Sequence, residues 1–416
     1  MPRTRAVPAR MARVCGEVGV AALRLAAARA ARRPGALGVE LSRLLDRLGG
    51  AHLKLGQLLA TRVDVIGPEL AGALGRLHDR ARPMTAEAAL TTVRRGFGEV
   101  PAFLERALRR PPVASGSVAC VYRAESQGRS LAVKVLRPDI GTAMRADLAV
   151  VRALARLLQR LPKLRRIPFA EIVDQLGDSL LGQLDFVAEA ENLRRLREDL
   201  GRVPDVVVPR VVTELSRPGV LTMEFLDGLD TATVHQLPPA VREQEVRTLV
   251  QAVYRMLFIE GFIHVDLHQG NTYFRTDGTV AVVDAGFAFR MGEPARRTFT
   301  EFFAGMIRGD GETCADILLS TTRGDPSDAD IAGFRRDVIR LVTESAGRTA
   351  QEFSLVAFSV ELFDLQRRRG LFAEPQFVFP LLCLLSLEGT VKRHHPSMNF
   401  QLEAAPHVMH GLLDAA

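Results

Sequence analysis

The chain has 416 residues, 47% apolar and 25% charged, with a formal net charge of +7. It is long for one ordinary domain and apolar enough for a packed core, so two lobes, or a core with an extension, are predicted. Three tyrosines, no tryptophan and arginines interleaved with acids leave little surface for base stacking, which excludes nucleic acid as a partner. In chain order, the Ala/Leu/Arg-rich stretch 9–48 reads as helix, ending at Gly49-Gly50. Residues 51–80 continue helically with a break at Gly67-Pro68, and 86–110 read as two short helices around Pro101. The composition then changes. Residues 113–124 form a hairpin candidate with a Ser/Gly/Ala bend, and 130–136 form the next strand. Long helices are predicted over 139–160 and 168–200, and strands over 206–213 and 220–225. Helices dominate thereafter, apart from short strands near Thr272 and Val280. The predicted division is a helical extension (1–110), a mixed small lobe (111–225) and a mainly helical large lobe (226–416).

The four cysteines (Cys15, Cys120, Cys314 and Cys383) form no CxxC. That spacing argues against a zinc site or disulfide framework and for a reducing, cytoplasmic setting. No uncharged apolar run reaches 18 residues; the best candidate, starting at Phe377, carries Pro380 and ends at Glu388. A peripheral contact with an anionic membrane is nevertheless predicted through residues 9–33, where Arg10, Arg13, Arg24, Arg29, Arg32 and Arg33 alternate with Ala and Val. The plain alternative is a helix packed on the core by its Ala/Leu side.

Only four lysines stand against 51 arginines, so a lysine kept inside a strand implies a task for a compact ammonium. Lys134, in Ala132-Val-Lys-Val135, is such a residue. About 130 positions later come His264-Val-Asp-Leu-His-Gln-Gly-Asn271 and Val283-Asp-Ala-Gly286. A strand Lys for phosphates, an Asp with an Asn five residues on, and an Asp before Gly for a metal are, in that order, the parts of a protein-kinase site. The small-lobe hinge is then Met223-Glu224-Phe225-Leu226, where Glu224 and Phe225 can meet an adenine edge. Ser115, Gly116 and Ser117 form the donor-rich bend placed to cover phosphates. Asp266 is assigned to orient or deprotonate the acceptor, and Asn271 and Asp284 to hold Mg²⁺. A rival reading takes His264, Asp266 and His268 as an alternating zinc or iron triad. Glu189 is the natural partner for Lys134; Asp185, Glu189 and Asn192 share one helical face, which by itself equally describes a solvated acidic face. Lys54 and Gln57 project from one face of an apolar helix with Gly56 beside them; the residues alone say only that this is a polar cluster.

Together these residues resemble the UbiB/ABC1/ADCK (AarF) family of atypical protein-kinase-like proteins, over about residues 40–400. The carrying marks are Lys54-Leu-Gly-Gln57 with Thr61-Arg62, Lys134, Leu184-Asp-Phe186 with Glu189 and Asn192, Met223-Glu224, the His264–Asn271 run and Asp284-x-Gly286. The resemblance implies an α+β, two-lobe kinase-like fold whose N-terminal helical extension, carrying Lys54 and Gln57, lies over the active site and restricts protein substrates. It implies ATP and Mg²⁺ as cofactors, and kinase or ATPase activity supporting isoprenoid quinone or lipid metabolism, often at a membrane. The acceptor is left open among small molecule, lipid and protein, and homodimer formation is a further expectation. A dedicated small-molecule kinase and a non-catalytic ATP-binding scaffold stand as alternatives. Departures from the family pattern are Ala114-Ser-Gly-Ser117 for its Ala-rich loop, Gln183 for a Glu, Ala285 for an aromatic, and Leu267 and Gln269 for prolines.

Overall fold

The computed structural model describes residues 6–30, 35–60, 66–75, 77, 82–160, 169–323, 330–348, 350–369 and 371–413. The chain divides into two units. One holds Met1–Val187 with Glu214–Thr222, the other Ala188–Thr213 with Met223–Ala416.

The first unit begins with helices α1 (Ala6–Ala30), α2 (Ala36–Leu48), α3 (Gly50–Ala60) and α4 (Pro68–Leu74). The break at Gly67-Pro68 falls where the sequence places it, with Pro68 opening α4 and Gly67 at a positive φ of 77°. Of the basic residues assigned to a membrane contact, the side chains of Arg10, Arg13, Arg29, Arg32 and Arg33 lie outside the described residues; Arg24 is exposed. Helices α5 (Ala86–Phe97) and α6 (Ala102–Leu108) flank Pro101, and Thr85 caps α5 by accepting from the Ala88 N–H. Strands β1 (Ala114–Ser115), β2 (Ala119–Ser126) and β3 (Arg129–Leu136) follow. The β2–β3 turn is Gln127-Gly128, both residues at positive φ (52° and 72°). Such a two-residue turn matches the twist of its flanking strands and sets the register that pairs Val121 with Lys134. Helices α7 (Ile140–Leu158) and α8 (Phe169–Gly182) complete the unit's helical part, and α9 (Phe186–Leu200) starts in it.

One continuous helix over 168–200 was the expectation; the chain instead turns at Gln183–Asp185. Gly182 weakens the helix there, and the Asp185 carboxylate accepts from the Val187 N–H at 3.0 Å, starting a new one. The predicted strand 206–213 shrinks to β4 (Val206–Val207), with Val211 making only an isolated bridge to Met223. Pro209 has no N–H to give a ladder. Strand β5 (Val220–Glu224) joins the sheet in the order β1-β2-β3-β5.

The second unit contains α10 (Thr233–Gln236), α11 (Pro239–Tyr254), a π-helical segment (Arg255–Glu260), and strands β6 (Phe262–His264), β7 (Thr272–Phe274), β8 (Val280–Val282) and β9 (Ala288–Arg290). Strand β4 runs parallel to β8, β7 antiparallel to β8, and β6 antiparallel to β9. After them come α12 (Glu293–Arg308), α13 (Gly311–Ser320), β10 (Thr322–Arg323), α14 (Ile331–Ser345), α15 (Leu355–Arg368), β11 (Phe372–Ala373), α16 (Pro375–His394) and α17 (Phe400–Leu413). The core of this unit is aromatic and aliphatic, with Tyr254, Phe258 and Phe334 fully buried. Among the described residues no helix is long and apolar enough to cross a membrane. Small sheets beside dominant helices make this an α+β fold.

Candidate active site

In the second unit, β6 buries all three of its residues, and His264 at its end pairs with Ala288 of β9. The chain then leaves the ladder, which exposes Asp266 partly. Five residues later the loop closes on itself: the Asn271 amide nitrogen donates to the Asp266 carbonyl at 2.9 Å. The hairpin β7–β8 pairs Thr272 with Val282, and the Val283 N–H donates to the Asn271 carbonyl at 3.0 Å. Asn271 and Asp284 are thereby brought to the same end of one hairpin.

His264 ties the two loops together. Its Nδ1 accepts from the Asp266 N–H at 3.2 Å, and its Nε2–H donates to the Asp284 carbonyl. Both ring nitrogens are engaged, so the ring keeps no lone pair for a metal, and the zinc or iron triad of His264, Asp266 and His268 does not form. His268 points elsewhere: its Nδ1 accepts from the Gly270 N–H at 2.9 Å, and its Nε2 lies 3.7 Å from an Asp266 carboxylate oxygen. Among the described residues no group of three or more His, Cys, Asp or Glu is arranged to hold a metal.

Asp284 is aimed by its own turn, accepting from the Gly286 N–H at 2.8 Å. A side chain at Gly286 would begin 3.2 Å from the Asp284 Oδ1 and 3.5 Å from the Glu189 Oε2. Glycine there lets two carboxylates stand over one patch of backbone. Glu189 is 2% exposed, and one turn further along α9 the Asn192 side chain donates to the Ala285 carbonyl at 3.0 Å. Two members of the predicted face, Glu189 and Asn192, thus lie against the Asp284–Gly286 turn, while Asp185 is exposed and sits before the helix, whose first turn it caps. Glu224 is fixed by Arg210: its N–H donates to the Arg210 carbonyl, and its carboxylate accepts from the Arg210 N–H at 3.3 Å. Phe225 follows it, half-buried.

In the first unit, Lys134 is half-buried on β3 with its ammonium 5.2 Å from the centre of the Phe186 ring. A cation over an aromatic face is attracted by the ring's quadrupole. Phe186 was noticed in the sequence only as a family mark, and this contact gives it a function. The bend Ser115-Gly116-Ser117 joins β1 to β2, closed by the Gly116 N–H donating to the Ala119 carbonyl at 2.9 Å. Arg137 escaped the sequence reading altogether. Its guanidinium donates to the Gly116 carbonyl (2.9 Å), the Ser115 hydroxyl (3.1 Å) and the Arg82 carbonyl (2.6 Å), and its N–H donates to the Val118 carbonyl. It is a positioning residue for the bend, three residues beyond Lys134; in a chain with so many arginines it carried no signal.

Lys54 and Gln57 lie on α3 of the same unit. Gly56 is tight: a Cβ there would come within 2.6 Å of a Leu45 methyl and 2.8 Å of a Leu77 methyl, so both side chains would have to move to admit one. The Gln57 amide donates to the Leu77 carbonyl at 3.1 Å, and His52 lies 3.8 Å from Asp147 of α7. Leu55 belongs to a core cluster with Met144, Leu148, Leu176 and Leu180, and Val118 packs against that cluster. The helix of Lys54 and the residue after Ser117 thus share one patch of core.

Burial lowers the pKa of His264, so the ring is neutral at pH 7, as its hydrogen bonds require. His394, whose ring lies 5.2 Å from that of His235 and tilted 60° to it, is pushed down to about 4 by burial and then by His235, Arg393 and Arg242. A depressed histidine stabilises the fold fully above its unfolded pKa of about 6.5. That stability is lost as pH falls through the folded value, because the unfolded chain takes up the proton first. Glu245 has the opposite slope, since burial raises its carboxyl to about 7. The His394→Asn variant isolates the first effect. Its stability, read by urea denaturation between pH 7 and 4, will fall less steeply than that of the wild type; parallel profiles would remove the claim.

Residues 76–318 match the family described as the ABC1 atypical kinase-like domain. An uncharacterized protein of Synechocystis sp., slr0889, is 27% identical over 365 residues, covering 84% of this chain and 88% of its own. Proteins named probable protein kinase UbiB from Aeromonas salmonicida and Pectobacterium carotovorum are each 27% identical, covering 89% of this chain and 69% of theirs. Among solved structures, the Rv3197–erythromycin complex from Mycobacterium tuberculosis superposes with a TM-score of 0.51 at 20% identity, over 86% of this chain and 95% of that one. Motifs, fold and family match agree: the chain belongs to the ABC1 atypical kinase-like family.

Proposed function

We propose that this protein binds Mg-ATP and transfers or hydrolyses its γ-phosphate, as a UbiB-type atypical kinase or ATPase. The observation that supports it best is the pair of loops tied by His264, which brings Asp266, Asn271 and Asp284 together. Asp266 orients or deprotonates the acceptor hydroxyl or water. The Asn271 amide oxygen and the Asp284 carboxylate are hard oxygen donors, and Mg²⁺ uses one or two such protein ligands with phosphate oxygens and water. The donor set therefore fits magnesium and not zinc. When bound, the ion neutralises charge on the transferring phosphoryl group. Lys134 takes the phosphates, Glu189 supplies negative charge to hold Lys134 or the metal, and Ser115, Gly116 and Ser117 donate to phosphate oxygens. Glu224 and Phe225 border the adenine, and Lys54 and Gln57 fence the site from the extension. The resemblance supports a physiological role in isoprenoid quinone or lipid metabolism. The test is ADP release from Mg-ATP by the purified protein, alone and with hydroxylated acceptors. Release supports the reading; saturable Mg-ATP binding without release, across lipid and metabolite acceptors, makes the protein a scaffold instead.

A further inference from the structure

Arg137 lies just beyond β3, and its N–H continues the ladder to the Val118 carbonyl. Side chains alternate along that ladder, so Val135 and Arg137 stand on the face of the sheet opposite Lys134. The guanidinium agrees: it reaches to 3.7 Å from the Sγ of Cys120, the residue paired with Val135. From that face it holds the bend at two points, the Gly116 carbonyl (2.9 Å) and the Ser115 hydroxyl (3.1 Å), and holds the segment leading into α5 at the Arg82 carbonyl (2.6 Å). All of these partners are neutral. In the same unit Arg95 pairs with Asp139 and Arg123 with Glu125, whereas Arg137 has no carboxylate partner among the described residues. Its charge is spent wholly on neutral acceptors, and such charge-assisted hydrogen bonds are about twice as strong as neutral ones.

The Gly116 bond also fixes the other half of its peptide group. In a trans peptide the Gly116 carbonyl and the Ser117 N–H point in opposite directions. Holding the carbonyl on the Cys120 face turns the Ser117 N–H away from that face, and this N–H meets no protein acceptor among the described residues. Glycine at 116 does not oppose the reverse orientation. On the reading of this bend as a phosphate cover, we propose that Arg137 is a positioning residue that fixes the Gly116–Ser117 peptide with its N–H toward the Lys134 face, braced against the segment ahead of α5. Without it the peptide turns over in part of the molecules and presents a carbonyl, which repels a phosphate. Affinity for the phosphates then falls, and affinity for the nucleoside does not.

The test compares the wild type, Arg137→Gln and Arg137→Lys as full chains. Amide hydrogen exchange without nucleotide reads the brace. In Arg137→Gln, exchange across residues 113–121 will quicken by about tenfold, the size of one lost charge-assisted hydrogen bond. Titrations with Mg-ATP and with adenosine, followed by ligand-observed NMR, read the consequence. Mg-ATP affinity falls by a similar factor and adenosine affinity is kept, a split that general loss of folding would not give. Arg137→Lys recovers part of both effects, because its ammonium can reach the Gly116 carbonyl but has no fork for Ser115 and Arg82 as well. Unchanged exchange in Arg137→Gln overturns the proposal whatever the nucleotide does. So does a wild type that binds Mg-ATP while Arg137→Gln binds it equally well, or loses it together with adenosine. A wild type that binds no Mg-ATP overturns the phosphate role of the bend and the nucleotide reading with it, and the exchange rates still decide whether Arg137 holds the bend.

Discussion

Asp266→Asn will keep nucleotide binding and lose turnover, by about 10²–10⁴-fold, the range for a positioned general base. The substitution is close to isosteric, and the contacts that shape the loop use the Asp266 backbone: its carbonyl accepts from Asn271 and its N–H donates to His264. The side chain is half-exposed and within 3.7 Å of His268, so its loss leaves the loop standing. Two readouts separate chemistry from binding. The rise in melting temperature with Mg-ATP will match the wild type, and ADP release will drop. An equal loss of both would mean that Asp266 supports the nucleotide or the fold rather than the acceptor.

His264→Ala will damage both the fold and the site of the second unit. The ring is 1% exposed and satisfies one backbone group on each of the two loops. Truncation leaves a cavity, an unpaired carbonyl at Asp284 and an unpaired N–H at Asp266, a combined loss of about 2–4 kcal/mol. A purely structural role predicts a lower melting temperature with normal activity in the folded fraction. The tether predicts more. Below the melting point, turnover and the Mg-dependent part of ATP binding will both fall, because Asp266 and Asp284 lose their common anchor. His264→Gln, whose amide can still donate to the Asp284 carbonyl, will recover part of the metal effect.

Much of this was legible in the sequence because it is local. The hairpin of β2 and β3, the proline-set helix starts at Pro68 and Pro101, and the spacing of Asp266, Asn271 and Asp284 are short-range patterns. What the sequence hid is long-range. Strands β6 and β9 are three residues each, too short for an alternating pattern to show. His264 was visible, but its alternation with Asp266 and His268 suits a metal triad equally well; only the position of the Asp284 carbonyl, twenty residues on, decides. Glu189 on a polar-looking helix is buried because Asn192 docks that helix on Ala285, a contact across 93 positions. Arg137 and Phe186 act on Ser115, Gly116 and Lys134 through tertiary packing that no spacing rule encodes. The break at Gln183–Asp185 is local yet was passed over, because apolar periodicity runs through it while Gly182 and Asp185 oppose it.

The most direct measurement is the shift in melting temperature given by ATP with and without Mg²⁺, in the wild type and in Asp284→Asn. A ligand bound only by the native state stabilises it by mass action, about 2.7 kcal/mol at a hundredfold excess over Kd. The account predicts a large Mg-dependent shift in the wild type and its loss in Asp284→Asn, with the smaller metal-free shift preserved by Lys134 and the Ser115–Ser117 bend. Equal shifts with and without Mg²⁺ in both proteins would contradict it.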